Sequence, residues 1–487
     1  MFAVDVCRLP ATGGSTFVVV AGLFMLIAGV IVTRWVRASA GLMSVVVTPL
    51  ILLGGLVLAP SVTDPCSPTT TVLPTTTVLP TTTVLPTTTV VPVDPNLVLE
   101  IDSTVIGPVD INSVSAVDDS FVYELGLFGE VDVHVDWGDG SSDDVSVAGP
   151  FPHTYATSGE YTITVSGSLT GFGQDNLKFG QQLGGAQYLR AVRSFGELGI
   201  TALTFAFYGS TNLIDVPSTL PTTVTDMSAM FASATAFNGD VSGWDTGLVS
   251  DMSDMFFEAS SFNGDVSGWD TGLVTNMFGM FFEASSFNQS LNNWDTGLVT
   301  NMSYMFNGAS SFNQSLNNWD TGLVSDMSNM FEGASSFNQS LNNWDTGLVS
   351  DMSAMFARTT AFNGDVSGWD TGLVTHMWYM FYQASSFNQT LGAWDISAVV
   401  DMSYMLDDSA LSVDNYDATL IGWADIQQAR QPNVVLGAAG LFFSSIGASA
   451  HDSLTNPCVN DPSNWLINDS GLEPTVMNND QRLAAIC

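Results

Sequence analysis

From Asp226 to Met402 the chain repeats itself every 25 residues. Met227, Met252, Met277, Met302, Met327, Met352, Met377 and Met402 hold one register, each followed three residues later by a second methionine. Phe256, Phe281, Phe306, Phe331, Phe356 and Phe381 come next. Further along each unit lie a Phe-Asn pair (Phe287-Asn288, Phe312-Asn313) and a Trp-Asp pair (Trp294-Asp295, Trp319-Asp320). A single unit has no interior in which to hide so many large side chains, so adjacent units must share them. The period therefore demands a solenoid of stacked coils. Each large side chain buried contributes roughly 1.5–3 kcal/mol, which makes the coils cooperative. Such a rod offers a broad wall to a partner and seldom encloses a catalytic pocket.

Within one unit, Met302, Met305 and Phe306 are spaced i, i+3, i+4, which predicts one face of a short helical turn. Thr300 or Asn301 would accept hydrogen bonds from the free amides at its start. Gln289 to Asp295 reads as a strand, stacked on its neighbours at ~4.8 Å in a parallel sheet. Thr296-Gly297 then supplies a turn. Met302, Met305, Phe306, Phe312 and Trp319 belong to the predicted core.

What varies between coils is what packing leaves free. Tyr304 and Tyr379 occupy a position that holds Ala229, Asp254, Gly279 and Asn329 in other coils. Asn292-Asn293, Asn317-Asn318 and Asn342-Asn343 are expected to project from the sheet face, where outer coils carry Ser-Gly. Stacked amides with nearby tyrosines suit a protein or glycan ligand. Asn288, Asn313 and Asn338 read instead as a ladder satisfying backbone groups of adjacent coils. Asp270, Asp295, Asp320 and Asp345 place one carboxylate per coil. Ca²⁺ coordination is one reading of that column, and a turn residue capping local amides is the simpler one. No cofactor is expected.

The chain around the repeats divides by composition. Residues 1–66 carry two apolar stretches, 16–33 and 41–59, each about long enough to cross a bilayer core of ~30 Å. Arg34 and Arg37 lie between them, which predicts a cytoplasmic loop and places everything after Ala59 outside. A start at Met25 or Met43 would instead make the second stretch a signal peptide or signal anchor. Residues 67–95 repeat Thr-Thr-Thr-Val-Leu-Pro, and the spaced prolines forbid helix and favour an extended stalk. Residues 96–170 turn to short alternating runs, with Val131, Val133 and Val135 on one face and Tyr161, Ile163 and Val165 on another. Trp137-Gly138-Asp139-Gly140 between them supplies hairpin chemistry, and a small antiparallel β-sandwich is expected. Residues 171–225 read as degenerate first repeats, 226–402 as seven repeats and 403–487 as a C-terminal cap.

The charge narrows the partners. With 48 acidic and 9 basic residues the chain has a formal charge of −39, which opposes nucleic acid. The four histidines (His134, His153, His376, His451) are scattered, and no Gly-x-Ser-x-Gly or His-Glu-x-x-His occurs, so no catalysis is expected. Cys7, Cys66, Cys458 and Cys487 form no zinc pattern, and Cys458 and Cys487 could pair in an extracellular setting.

Three stretches resemble known patterns. Val135-Asp136-Trp137-Gly138-Asp139-Gly140, with His153-Thr154-Tyr155 and Ser158-Gly159-Glu160-Tyr161-Thr162-Ile163, resembles a PKD domain. That resemblance implies an extracellular spacer or binding module in which Asp136 and His153 are structural. Leu9-Pro10-Ala11-Thr12-Gly13 is similar to a sortase sorting signal, but it stands at the wrong end of the chain for attachment. Val-Thr-Asn-Met-Ser-Tyr-Met-Phe-Asn-Gly-Ala-Ser-Ser-Phe-Asn-Gln-Ser-Leu-Asn-Asn-Trp-Asp, iterated through the coils, resembles the BspA-type leucine-rich repeats of bacterial surface proteins. The fold so implied is mixed and mainly β. It is a leucine-rich-repeat-like solenoid with a short strand plus helical turn per coil, preceded by a small β-sandwich and two N-terminal transmembrane helices. The function so implied is that of a membrane-anchored cell-surface protein whose solenoid binds an extracellular protein or glycan in adhesion or recognition. A structural spacer or coat component is the alternative, and an extracellular hydrolase a remote one.

Overall fold

The computed structural model describes residues 94–105, 119–175, 181–426, 430–455 and 464–473. The apolar stretches 16–33 and 41–59, the residues 9–13, all but the end of the stalk, and Cys7, Cys66, Cys458 and Cys487 lie outside the described residues.

Six antiparallel strands open the described part: β1 (Leu97–Asp102), β2 (Phe121–Asp136), β3 (Ser142–Val145), β4 (Gly149–Tyr155), β5 (Glu160–Phe172) and β6 (Leu189–Phe195). Val133, Val135, Ile163 and Val165 point into the core as their alternation predicts. Gly138 and Gly140, at φ of 78° and 93°, turn β2 into β3. The strands form one hydrogen-bonded network in the order β3-β2-β5-β1-β6 with β4 also on β2, and it folds over so that the Tyr155 ring of β4 lies 4.2 Å from the Tyr161 ring of β5. The physical reason is the length of β2. Its 16 residues, with a register shift between Phe128 and Val131, pair with β4 by the first half and with β3 by the second. Strand β6 also belongs to this sheet, although its residues read as part of the degenerate repeats.

The sheet runs directly into the coils. Beyond its sheet partners, the end of β5 donates from Leu169 to the Leu198 carbonyl (2.9 Å) and from Phe172 to the Ala202 carbonyl (3.0 Å). Gly171 and Ala202 make the first parallel bridge, and bridges follow at Asp226, Asp251, Asn276, Asn301, Asp326, Asp351, His376 and Asp401. At the far end Met402 bridges to Leu436 in β7 (Val435–Gly437), which pairs with β8 (Leu466–Asn468). Helices α1 (Val413–Ala424) and α2 (Ala448–Thr455) complete that cap. Both ends of the ladder are therefore covered, as a solenoid requires.

The coil itself differs from the predicted strand plus helical turn. In the coil from Asn276 to Thr300 only Asn276 bridges, and the rest is a succession of turns. A helix is prevented at the methionines because the residue before the second one has a left-handed backbone, with φ of 60° at Tyr304 and 58° at Tyr379. Amides of alternate residues then leave the coil. Met277, Gly279, Phe281 and Glu283 donate to the carbonyls of Asn301, Ser303, Met305 and Asn307 in the next coil, at 2.6–3.2 Å. The residues between them close tight turns, as Met280 does onto Met277 and Phe282 onto Gly279. No strand spans Gln289 to Asp295; there a side chain bridges the coils, the Asn288 Oδ1 accepting from the Asn313 amide at 3.0 Å. The two N-terminal transmembrane helices expected at 16–33 and 41–59 form no part of the described fold, since those stretches lie outside the described residues. The α-helices present among the described residues have 12 and 8 residues, and none is long and apolar enough to cross a membrane.

The Trp-Asp-Thr-Gly stretch of each coil divides its labour. Trp294 donates its indole N–H to the Val266 carbonyl of the preceding coil (3.0 Å), and Trp319 does the same to Leu291 (2.9 Å). Asp295 Oδ1 accepts from the Gly297 amide within its own coil (3.0 Å). Thr296 donates its hydroxyl to the Asp320 carbonyl of the following coil (2.8 Å). Between these ties the rings stack coil on coil: Phe281 to Phe306 at 5.7 Å, Phe287 to Phe312 at 5.9 Å and Trp319 to Trp344 at 6.3 Å, all within 7° of parallel. Met302, Met305, Phe306 and Phe312 are fully enclosed and Trp319 nearly so. Trp319→Phe keeps an aromatic ring in the stack but removes the indole tie, leaves the Leu291 carbonyl with the Trp294 amide alone, and opens a void where the larger ring stood. Its unfolding free energy in urea is expected to fall by about 1–3 kcal/mol, and an unchanged midpoint would count against the indole tie.

Candidate functional site

The turn between the methionines and the following alanine forms the outward wall of each coil, and its side chains are the ones that change from coil to coil: Ala229, Asp254, Asn329 and Ala354 are buried there, while Trp378 and Tyr404 are exposed. Two groups of aromatic residues stand on it. The first comprises Phe257, Phe278, Phe282 and Tyr304, all half-buried. Phe257 stacks on Phe282 at 4.4 Å, and Tyr304 lies 5.6 Å from Phe278 and 6.2 Å from Phe282. The second comprises Trp378, Tyr379, Tyr382 and Tyr404. Tyr379 stacks on Tyr404 at 4.6 Å and meets Tyr382 and Trp378 edge-on at 4.9 and 5.3 Å. Trp378 and Tyr404 remain 38% and 50% exposed, a large outlay of aromatic surface to solvent. Arg358 lies over the Tyr382 ring at 5.5 Å and pairs with Glu332 at 2.8 Å.

The predicted site residues fall into two separate columns. Tyr304 and Tyr379 stand on this outward turn. Asn292-Asn293, Asn317-Asn318 and Asn342-Asn343 form the tips of a different turn, just before the tryptophan, and not the face of a sheet. Part of their capacity goes to neighbouring coils: Asn292 Oδ1 accepts from the Asn318 amide and the Asn317 carbonyl from Asn343 Nδ2, both at 3.4 Å. The Asn288, Asn313 and Asn338 amides do form the inter-coil ladder, with Asn288 and Asn313 half-exposed and Asn338 exposed. Asp270, Asp295, Asp320 and Asp345 each accept from the glycine amide two residues on, at 3.0–3.1 Å. Among the described residues no three acidic, histidine or cysteine side chains converge as metal ligands would.

Several features were not foreseen. The outward turn places its variable residue in the left-handed region, and only Gly279 among the occupants signals that in sequence. Leu248, Leu273, Leu298, Leu323, Leu348 and Leu373 form an apolar column, each 45% to 56% exposed, where Gly-Leu-Val reads as a turn entering the core. Asp254 is only 9% exposed and its Oδ1 has no hydrogen-bond partner. Burial, and secondarily the nearby Asp251 carboxylate, push its pKa up to about 7.

In the sheet, His153 stacks on Trp137 at 4.5 Å and its Nε2 meets Asp139 at 2.9 Å, while the Tyr155 hydroxyl donates to the Trp137 carbonyl at 2.9 Å. Burial alone would raise the Asp139 pKa, but hydrogen bonds from Ser141 and His153 bring it down to about 2. These contacts fasten the hairpin. His134 pairs separately with Asp144 (2.8 Å), and His451 lies 3.5 Å from Asp469 in the cap.

Residues 201–319 and 310–418 each match the model of a family described as "Mycoplasma protein of unknown function, DUF285". The two matches together span the coils. They make this region similar to a repeat family whose activity its description leaves open. No curated protein matches the chain.

Asp254 sets a pH dependence. In the fold its carboxyl stays neutral to about pH 7, whereas in the unfolded chain it ionises near 3.8. The neutral form therefore favours the fold fully below that lower value, and the advantage drains away as pH rises to about 7. Asp254→Asn is expected to raise stability at pH 8 by roughly 2–4 kcal/mol and to change it little at pH 4. Urea unfolding at both pH values checks this, and equal shifts at the two would contradict it.

Proposed function

We propose that the chain is a non-catalytic surface protein whose solenoid recognises an extracellular protein or glycan through its outward turns. The observation that carries this reading is the contrast within each coil. The inward methionines, phenylalanines and tryptophans keep one identity and one position, while the outward turn changes from serine, alanine and asparagine to clustered tryptophan and tyrosine. Aromatic residues supply large rigid contact area at low entropic cost, and the exposed Trp378–Tyr404 group is the richest such patch on the coils. The resemblance of the repeats to BspA-type surface proteins, and of the sheet to a PKD domain, supports the same reading. So does the charge of −39, which favours solubility and disfavours nucleic acid as a ligand.

Probing glycan and surface-protein arrays with the full chain tests it. Saturable binding is expected, and Trp378→Ala with Tyr404→Ala should weaken it at least tenfold, about 1.4 kcal/mol, without moving the unfolding midpoint. A purely structural spacer would bind nothing saturably on either array, and that result would overturn the proposal.

A further inference from the structure

We propose that the outward turns at Asp254, Gly279 and Tyr304 form a binding site for an alkylammonium group, the chemistry shared by a lysine side chain and a trimethylammonium headgroup. The inference deepens the recognition reading above by naming a ligand class, and it rests on a different patch from the Trp378–Tyr404 group.

Gly279 is the one glycine in its column, between Asp254 in the coil before and Tyr304 in the coil after. A Cβ at 279 would come within 2.3 Å of Asp254 Oδ1. The carboxylate thus leans into the space a side chain at 279 would fill, and it is 91% buried with Oδ1 unpartnered. Aromatic residues occupy the same turns. Phe278 follows Asp254 across the coil boundary, its carbonyl accepting the Asp254 amide at 2.7 Å, and its ring lies 5.6 Å from Tyr304. Phe282 and Phe257 continue the wall, stacked at 4.4 Å. Most other coils carry serine at the Phe278 position, and the four middle and later coils carry Asn307, Glu332, Ala357 and Tyr382 at the Phe282 position. Rings and a carboxylate on the same turns suit an organic cation, because ring faces and carboxylate both attract it.

The chain offers no cation of its own from these coils, since no lysine or arginine occurs between Arg193 and Arg358. Asp251, Glu258 and Glu283 in the same coils add negative charge, which excludes an anionic occupant. A neutral apolar occupant would leave the buried carboxylate without a partner, the costly outcome for such a group. An alkylammonium satisfies both the charge and the rings.

Calorimetric titration of the full chain at pH 8, above the raised pKa of Asp254, with choline, with Nα-acetyl-lysine amide and with 3,3-dimethylbutanol, the uncharged isostere of choline, tests the site. Saturable binding of at least one cationic probe is expected, at least tenfold tighter than the isostere, and the tighter of the two cations identifies the source. Asp254→Asn and, separately, Phe278→Ser, which installs the residue of most other coils, should each weaken that binding at least tenfold. The second variant keeps the test open if the first perturbs folding. No saturable binding of either cation, or equal binding by parent and variants, would overturn the inference. Array binding that persists while both cations fail would sink this site and leave the broader recognition reading standing.

Discussion

The rod depends on hydrogen bonds that leave the coil in which they start. A turn-built coil has no helix or strand ladder to absorb its own amides, and buried amides without partners are expensive. Alternate residues of the outward turn therefore donate forward to the next coil, while the indole of each tryptophan donates backward. The buried threonine after the Trp-Asp pair donates forward again. Each tie is worth about 1 kcal/mol net, but every coil carries several and none can form without a neighbour. The fixed spacing of the repeat follows from this. An inserted or deleted residue would displace the tryptophan from the carbonyl it serves and the phenylalanines from the rings they stack on.

Much of this was legible in the sequence. Constant phase of methionine, phenylalanine and tryptophan told which side chains lie inside, and the accessible surface agrees residue by residue at Met302, Met305, Phe306, Phe312 and Trp319. Local conformation was less legible. The i, i+3, i+4 spacing of Met302, Met305 and Phe306 reads as a helical face, yet the same inward set arises from turns. What breaks the helix is the left-handed residue at Tyr304, and tyrosine carries no sequence mark of that conformation. The strand expected from Gln289 to Asp295 is replaced by an asparagine side chain doing the bridging that backbone groups would do in a sheet. Likewise β6 could not be told from a degenerate repeat, because Leu189–Phe195 joins the sheet through pairing with the distant β1.

The surface follows a different logic from the core. The asparagine pairs and the tyrosines both vary between coils and so both read as ligand-facing, but they sit on separate turns. The asparagines give part of their capacity to the neighbouring coil, although Asn317 Oδ1 is buried without a partner. On the outward turn, Trp378 and Tyr404 leave large faces in water, and Asp254 keeps a carboxyl oxygen without a partner. Such unmet capacity is what packing alone does not explain, and it is why the outward turn carries the functional reading. Under the proposed recognition role, the strongly acidic balance of the chain disfavours an anionic partner.

Hydrogen exchange at the indole N–H groups tests the stacking of coils most directly. With Trp269, Trp294, Trp319, Trp344, Trp369 and Trp394 each bonded to a carbonyl of the coil before, their indole protons should exchange slowly and open together with the backbone amides of the coils. Indole protons that exchange at the rate of free tryptophan while the backbone stays protected would contradict the stacked, tryptophan-tied solenoid.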